Sequence, residues 1–305
     1  MKKTLIALAA VAATGAAFAQ SSVTLYGVAD VSIAKADGQS TKLASSSGLN
    51  NGTSRWGVRG SEDLGGGMKA GFTFEQGISL ENGNISKSGT GEFGRAAWMN
   101  LSGGFGDLRL GRSLNPAFYA AATWELTGTA NYSVQTKQFG GALNGFRSNG
   151  IIYTTPSMGG FKVMLGHQLK ANDPGEADVS RTDLTGIYAN GPMAFSVNYN
   201  KPSGGEKSFH IGGRYTMGMF TLAGAIVDPA GDGKGFNLGA GVKAGPVDLV
   251  FDIARDTFYK DTDFLLEAKY PMSKRTTAYF AFQRDGKGKT AENANNVGLG
   301  VRHNF

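Results

Sequence analysis

The stretch "WGVRGSEDLGGGMKAGFTFEQG" (residues 56–77) decides the fold. Trp56 and Val58 share one parity, and Arg55, Arg59 and Ser61 take the other. After an acidic, glycine-rich break, Met68, Ala70, Phe72 and Phe74 alternate with Lys69, Gly71, Thr73 and Glu75. Two amphipathic strands joined by a short turn follow from that period of two. The open question is direction: the apolar face looks either into a core, with charges in water, or out into lipid, with charges lining a wet interior.

Composition narrows the choice. The chain has 305 residues with 47 glycines, 19 phenylalanines and no cysteine, and its mean hydropathy is −0.19. A bundle of membrane helices would need several apolar runs of about 20 residues, and only the start approaches one. "MKKTLIALAAVAATGAAFAQ" carries Lys2 and Lys3, an apolar stretch from Leu5, and Ala17-Phe18-Ala19 before Gln20. That is the pattern of a secretory signal peptide over 1–19, with the mature chain beginning at Gln20 and a barrel domain filling 20–305. Export without cysteine leaves stability to closure, size or a non-aqueous solvent. Removal of Lys2 and Lys3 takes 30 basic residues to 28 against 24 acidic ones, and they are scattered rather than clustered. No basic arm or stripe marks a nucleic-acid partner.

The alternation recurs along the chain. Val23, Leu25, Ala29, Val31 and Ile33 oppose Thr24, Tyr26, Asp30 and Ser32, while Met193, Phe195, Val197 and Tyr199 oppose Ala194, Ser196, Asn198 and Asn200. Sixteen strands are predicted at 22–35, 53–62, 67–79, 92–102, 106–113, 147–155, 160–170 and 182–190, then 193–201, 207–216, 219–228, 235–243, 246–257, 262–270, 275–285 and 295–305. The links after even-numbered strands are short, such as "DLGG", "SGGF", "NGP" and "AGP". Those after odd-numbered strands are mostly longer and polar, at 37–51, 81–91, 171–181 and, longest, 114–146. Short turns at one end and long loops at the other mark an outer-membrane barrel. The prolines all fall at strand ends or in loops, as sheet geometry requires.

Three features set the direction. Glycine and alanine dilute the apolar parity too far for a packed core. The other parity carries charges such as Arg284, Arg302, Lys243, Asp252 and Glu267. Phe72, Phe105, Phe161, Phe220 and Tyr270 sit near strand ends, where aromatic girdles meet headgroups. A closed barrel satisfies every backbone donor without an interior core. The expected fold is all-β: a 16-stranded antiparallel transmembrane barrel with its charges facing in.

The motifs "SSVTLYGVADVSI", "SRWGVRGSEDLGGGMKAGF", "NLSGGFGDLRLGR", "TTPSMGGFKV" and "VGLGVRHNF" resemble the general porins of Gram-negative bacteria, in their betaproteobacterial and neisserial branch, over essentially the whole mature chain. The resemblance implies a homotrimer in the bacterial outer membrane, in contact with lipid and lipopolysaccharide, through which ions and small hydrophilic solutes diffuse passively. It implies a third loop folded into the barrel, and 114–146 lies in the matching place. Phe305, ending the last strand with Val301 and His303 on its parity, resembles the signal read by the barrel assembly machinery.

In such porins a basic cluster on the wall faces the inward loop. The positions that resemble it are Arg55, Arg95 and Arg147, with Glu125 the only carboxylate of the loop. Arg55 is inward if Trp56 and Val58 face lipid. Arg95 is inward only if Ala96 and Trp98 point outward, which would turn Met99 and Leu101 inward. Glu125 is either a constriction acid or a solvated loop residue. Arg59, Lys69, Glu75 and Arg112 are further lumen candidates. A constriction ruled by arginine favours anions.

Other classes find little support. His167, His210 and His303 have no serine and carboxylate in a recognisable local setting, so no catalytic centre is read, and no spacing suggests a metal or a cofactor. The alternative is a substrate-selective channel on the same barrel, with Phe118, Tyr119, Trp124, Tyr132 and Phe139 of the long loop forming a stacking slide; equally, those rings could pack the loop on the wall.

Overall fold

In the computed structural model, residues 22–46, 48–85, 91–143, 146–171, 179–288 and 292–305 are described. The expected leader at 1–19 and the expected start at Gln20 lie outside them. Seventeen strands form one sheet. The first half contains β1 (Ser22–Lys35), β2 (Lys42–Ala44), β3 (Arg55–Gly65), β4 (Met68–Gly77), β5 (Ala96–Gly103), β6 (Gly106–Leu114), β7 (Phe146–Thr154), β8 (Phe161–Gln168) and β9 (Arg181–Asn190). The second half contains β10 (Met193–Pro202), β11 (Ser208–Met217), β12 (Phe220–Asp228), β13 (Gly235–Ala244), β14 (Val247–Asp256), β15 (Asp261–Pro271), β16 (Thr276–Asp285) and β17 (Ala294–Asn304). β2 is a three-residue segment beside β1 within the first loop, so sixteen strands make the wall.

Wall strands that are neighbours in sequence pair antiparallel, and β1 pairs with both β3 and β17, which closes the sheet. The last residue extends the seam. Gly27 and Phe305 exchange two backbone hydrogen bonds of 3.0 Å, and the Phe305 ring lies over Gly27, where any Cβ would collide with it. The β3–β4 turn needs its glycines: Gly65, Gly66 and Gly67 have φ of 78°, 61° and 79°, a region that side chains avoid. The Asp63 carboxylate accepts the Gly65 N–H at 2.9 Å and tightens the turn.

Direction is settled by exposure. In β10, Met193, Phe195, Val197 and Tyr199 are 42–46% exposed, whereas Ala194, Ser196, Asn198 and Asn200 are at most 7% exposed. In β1, Val23, Leu25 and Ile33 are exposed while Asp30 and Ser32 are buried. A wall that shows apolar side chains outside and hides polar ones within matches lipid as its outer solvent. The strand spans follow the expected ones closely. The largest shift is at β5, which starts at Ala96 rather than 92, after a bend that includes Gly91 at φ 88°.

Register corrects two orientations. Thr73 pairs with Trp98 and Glu75 with Ala96, so Ala96 and Trp98 share the inward face with Arg59, which pairs with Thr73. Met99 and Leu101 point out. Arg284 pairs with Phe264 on the outward parity near the top of β16, not among the lumen charges; a charge at a strand end is near enough to water to be tolerated there.

Between β6 and β7 the third loop carries helices α1 (Pro116–Trp124) and α2 (Val134–Leu143) and folds inside the barrel. Its Trp124, Tyr132, Val134 and Phe139 are buried against Ala225, Val227, Ala254, Leu265 and Ala281 of the wall. Inward-facing glycines make the bed. A Cβ on Gly212 would enter the Trp124 indole, one on Gly166 would come within 2.8 Å of Pro116, and one on Gly239 within 2.9 Å of Leu126. The interior is thus filled along one side by its own loop and left open on the other.

Candidate functional site: an arginine wall facing the inward loop

The loop is shaped by its own polar groups. Asn115 caps α1 by accepting the Phe118 N–H, with Pro116 at the first helical position, where a missing N–H costs nothing. At the end of α1, Glu125 is 1% exposed. Its carboxylate accepts hydrogen bonds from Thr127 Oγ1 (2.6 Å), Thr129 N (2.6 Å) and Ser133 Oγ (2.9 Å). This corrects both expectations for Glu125: it neither faces the arginines nor meets solvent, because the tip of the loop is folded around it.

Three sets of ties hold the loop in place. The Tyr132 hydroxyl donates to Glu267 Oε2 on β15 (2.6 Å) and accepts from Asn51 Nδ2 of the first loop (2.8 Å). Lys269 donates to the Thr127 carbonyl (2.8 Å) while pairing with Glu267 (3.0 Å). Ser196 Oγ donates to the Ala120 carbonyl (2.6 Å), and Lys137 pairs with Asp285 (2.9 Å). Burial, with the Glu267 carboxylate beside it, holds the Tyr132 phenol well above its usual pKa, so it stays a donor.

The opposite wall, on β17, β1, β3, β4, β5 and β6, carries a cluster of arginines. Arg55 is inward, as expected, and its Nε lies 3.4 Å from Glu75 Oε2. Arg95 precedes β5 and so escapes its alternation: its N–H bonds the Glu75 carbonyl (3.3 Å) and its Nε donates to Glu75 Oε1 (2.7 Å). The dilemma over Trp98 and Met99 therefore dissolves, because both Arg95 and Trp98 reach the interior. Glu75 is the shared acceptor and also takes the Tyr26 hydroxyl at 3.0 Å. Tyr26 lies flat across Gly57, where a Cβ would stand 2.8 Å from the phenol oxygen, and Arg59 sits over its ring at 5.1 Å. Lys69, Glu75 and Arg59 all take the inward face through the β3–β4 register.

Arg112 does not join this group. It pairs with Ala97 on the outward parity next to a bulge, and its Nε donates to the Gly94 carbonyl at 2.5 Å. Arg147 lies in β7 opposite Ser113, and its side chain is outside the described residues. Two arginines that sequence reading did not place at the constriction belong to the wall. Arg302 contacts Asn51 Oδ1 (2.9 Å) and Asp30 Oδ2 (3.9 Å). Arg109 stacks on Trp98 at 4.2 Å and donates to the Tyr119 hydroxyl of α1 at 3.2 Å. The alternation of Leu108, Arg109 and Leu110 carried the signal for Arg109. Parity set Tyr26 on the inward face without showing its role, and nothing in sequence pointed to Asn51.

Arg55, Arg59, Arg95, Arg109 and Arg302 thus face Glu75, Asp30 and Asp107 as the acids within their reach. No carboxylate of the loop faces them among the described residues. Rings of fixed guanidinium charge in a water-filled pore favour anions.

Known proteins place this architecture. The family model described as Gram-negative porin matches residues 4–305. Outer membrane porin protein 32 of Delftia acidovorans is 34% identical over 361 residues, covering all of both chains. An outer membrane porin protein of Bordetella pertussis is 32% identical, again over both full lengths. Among solved structures, an anion-selective porin from Comamonas acidovorans superposes with a TM-score of 0.76 at 27% identity, covering 94% of this chain and 100% of that one. These relatives are channel proteins rather than enzymes. A closed sixteen-stranded barrel with an inward third loop, matched along its length by such relatives, belongs to the Gram-negative porin family and forms a diffusion channel of the outer membrane.

Proposed function

We propose that this porin is a general diffusion channel with a preference for anions, set by Arg55, Arg95 and Arg302 around Glu75 and Asp30 and by Arg59 and Arg109 nearer the short turns. The observation that carries this reading is charge imbalance across the lumen. Arg55 and Arg95 converge on one carboxylate, Glu75, while the only acid of the loop is buried within it. The structural relative named as anion-selective accords with it. Arg147 is proposed as a further member from its place at the end of the loop. Cleavage before Gln20, assembly as a homotrimer, contact with lipopolysaccharide, and Phe305 as the assembly signal complete the reading and rest on family resemblance.

A substrate-selective channel is the second reading, and burial weighs against its stacking slide. Trp124, Tyr132 and Phe139 are all at most 1% exposed, packed on the wall rather than lining the passage. Liposome swelling separates the two. Small anions of different shapes should enter at rates set by size, and cations of matching size more slowly. One solute entering far faster than others of its size and charge would favour the selective channel.

A further inference from the structure

Below the arginine wall, toward the end with the short turns, the lumen holds a concavity of about 260 Å³ between β1 and β5. We infer that it is a binding subsite for a small polyhydroxylated carboxylate, a sugar acid, lying on the path of anions that have passed the constriction. This rests on the anion preference proposed above.

The pocket has two cations without an acid partner among the described residues. Arg59 makes no ion pair there and rests on the Tyr26 ring. Lys69 pairs across the ladder with Asp63, but the Asp63 carboxylate is turned to the Gly65 N–H at 2.9 Å, which leaves the ammonium open to the lumen. Trp98 closes one side, its ring covered by Arg109 at 4.2 Å, which adds positive charge there. A second acid, Asp107, is engaged by Asn100 and lies 3.9 Å from Arg109.

Between the cations the lining is neutral and polar. Register sets Thr24, Arg59, Thr73 and Trp98 in one inward row, and Lys69 and Ser102 in another nearer the turns. Ser61, Gly71 and Asn100 lie between them. Gly71 makes the floor: a Cβ there would stand 2.5 Å from Asn100 Oδ1, so the amide lies across the gap it leaves. Lys69 lies four residue steps along the strand from Thr73, the partner of Arg59, which is about 13 Å along the sheet. Two long side chains can close that span on one anion, with hydroxyls and an amide between them to meet the ligand's own hydroxyls. The volume holds about nine waters at liquid density, which is room for one monosaccharide acid.

The test is interruption of chloride current through single reconstituted channels by glucuronate, with glucose and acetate as controls, alongside the reversal potential in a salt gradient. Glucuronate should interrupt the current at concentrations where glucose and acetate do not. Arg59→Ala and Lys69→Ala should each raise its half-blocking concentration about fivefold, the scale of one exposed ion pair, with block read as a fraction of each variant's own chloride current. Equal interruption by acetate would overturn recognition through hydroxyls, and equal interruption by glucose would overturn recognition through charge. No interruption from a channel whose reversal potential is anionic would remove the subsite and leave the anion channel standing. A cationic reversal potential would remove both.

Discussion

The Asn51 amide donates to the Tyr132 hydroxyl at 2.8 Å, joining two loops 81 residues apart across the interior of the barrel. The same hydroxyl donates to Glu267 at 2.6 Å, and Asn51 Oδ1 accepts from Arg302 at 2.9 Å. One chain of polar contacts therefore runs from the arginine wall through the first loop to the third loop and on to β15. These contacts tie the third loop to the first loop and to the wall on both sides.

Tyr132→Phe removes the hydroxyl from the middle of that chain. It leaves the Asn51 amide without its acceptor and Glu267 with one donor fewer, at a cost of about 1–3 kcal/mol for buried groups. Single-channel records should show a noisier open level, with the barrel still folded. A trace as quiet as that of the native channel would mean that the loop is held mainly by its apolar contacts.

Gly212→Val tests the glycine bed. The new side chain takes the space of the Trp124 indole, so α1 moves toward the lumen at an overpacking cost of about 1–3 kcal/mol. Single-channel conductance should fall. Unchanged conductance would show that the wall yields instead of the loop.

Glu75→Gln removes the acid shared by Arg55 and Arg95 while keeping an acceptor for Tyr26. The lumen gains one net positive charge beside Arg55 and Arg95, and the reversal potential should move further to the anion side. The shift should shrink at high salt, since screening shortens the reach of exposed charge to about 3 Å at 1 M.

Gly27→Val tests the seam. The Phe305 ring loses its seat over β1, and two closing backbone bonds are strained. The ring is half exposed on the outer face, so the loss should stay near 1–2 kcal/mol rather than the larger cost of a buried aromatic. It should be read as a lower temperature for the mobility shift between folded and unfolded barrel in detergent gels.

Much of this was legible in the alternation of residues. Met193 to Asn200 could face only one way once lipid was the outer solvent, and Arg55, Arg59, Lys69 and Glu75 followed from the same parity. The misplacements have local causes. Arg95 stands outside β5, so counting from Trp98 gave the wrong constraint. Arg112 follows Gly111, which sits at φ 120° beside a bulge, and a bulge shifts the parity that sequence counting assumes. Glu125 was the one acid in a plain loop, and only the folded tip shows its hydrogen-bond partners. The tie between Asn51 and Tyr132 joins two loops, where no periodicity exists to be read.

The most direct test of the arginine wall is the zero-current potential of the refolded porin in a planar bilayer under a salt gradient, measured for the native chain and for Arg55→Ala. The native channel should give the anion-selective sign, and the variant a potential markedly closer to zero. A cation-selective sign for the native channel, or a potential that Arg55→Ala leaves unchanged, would contradict selection by these arginines.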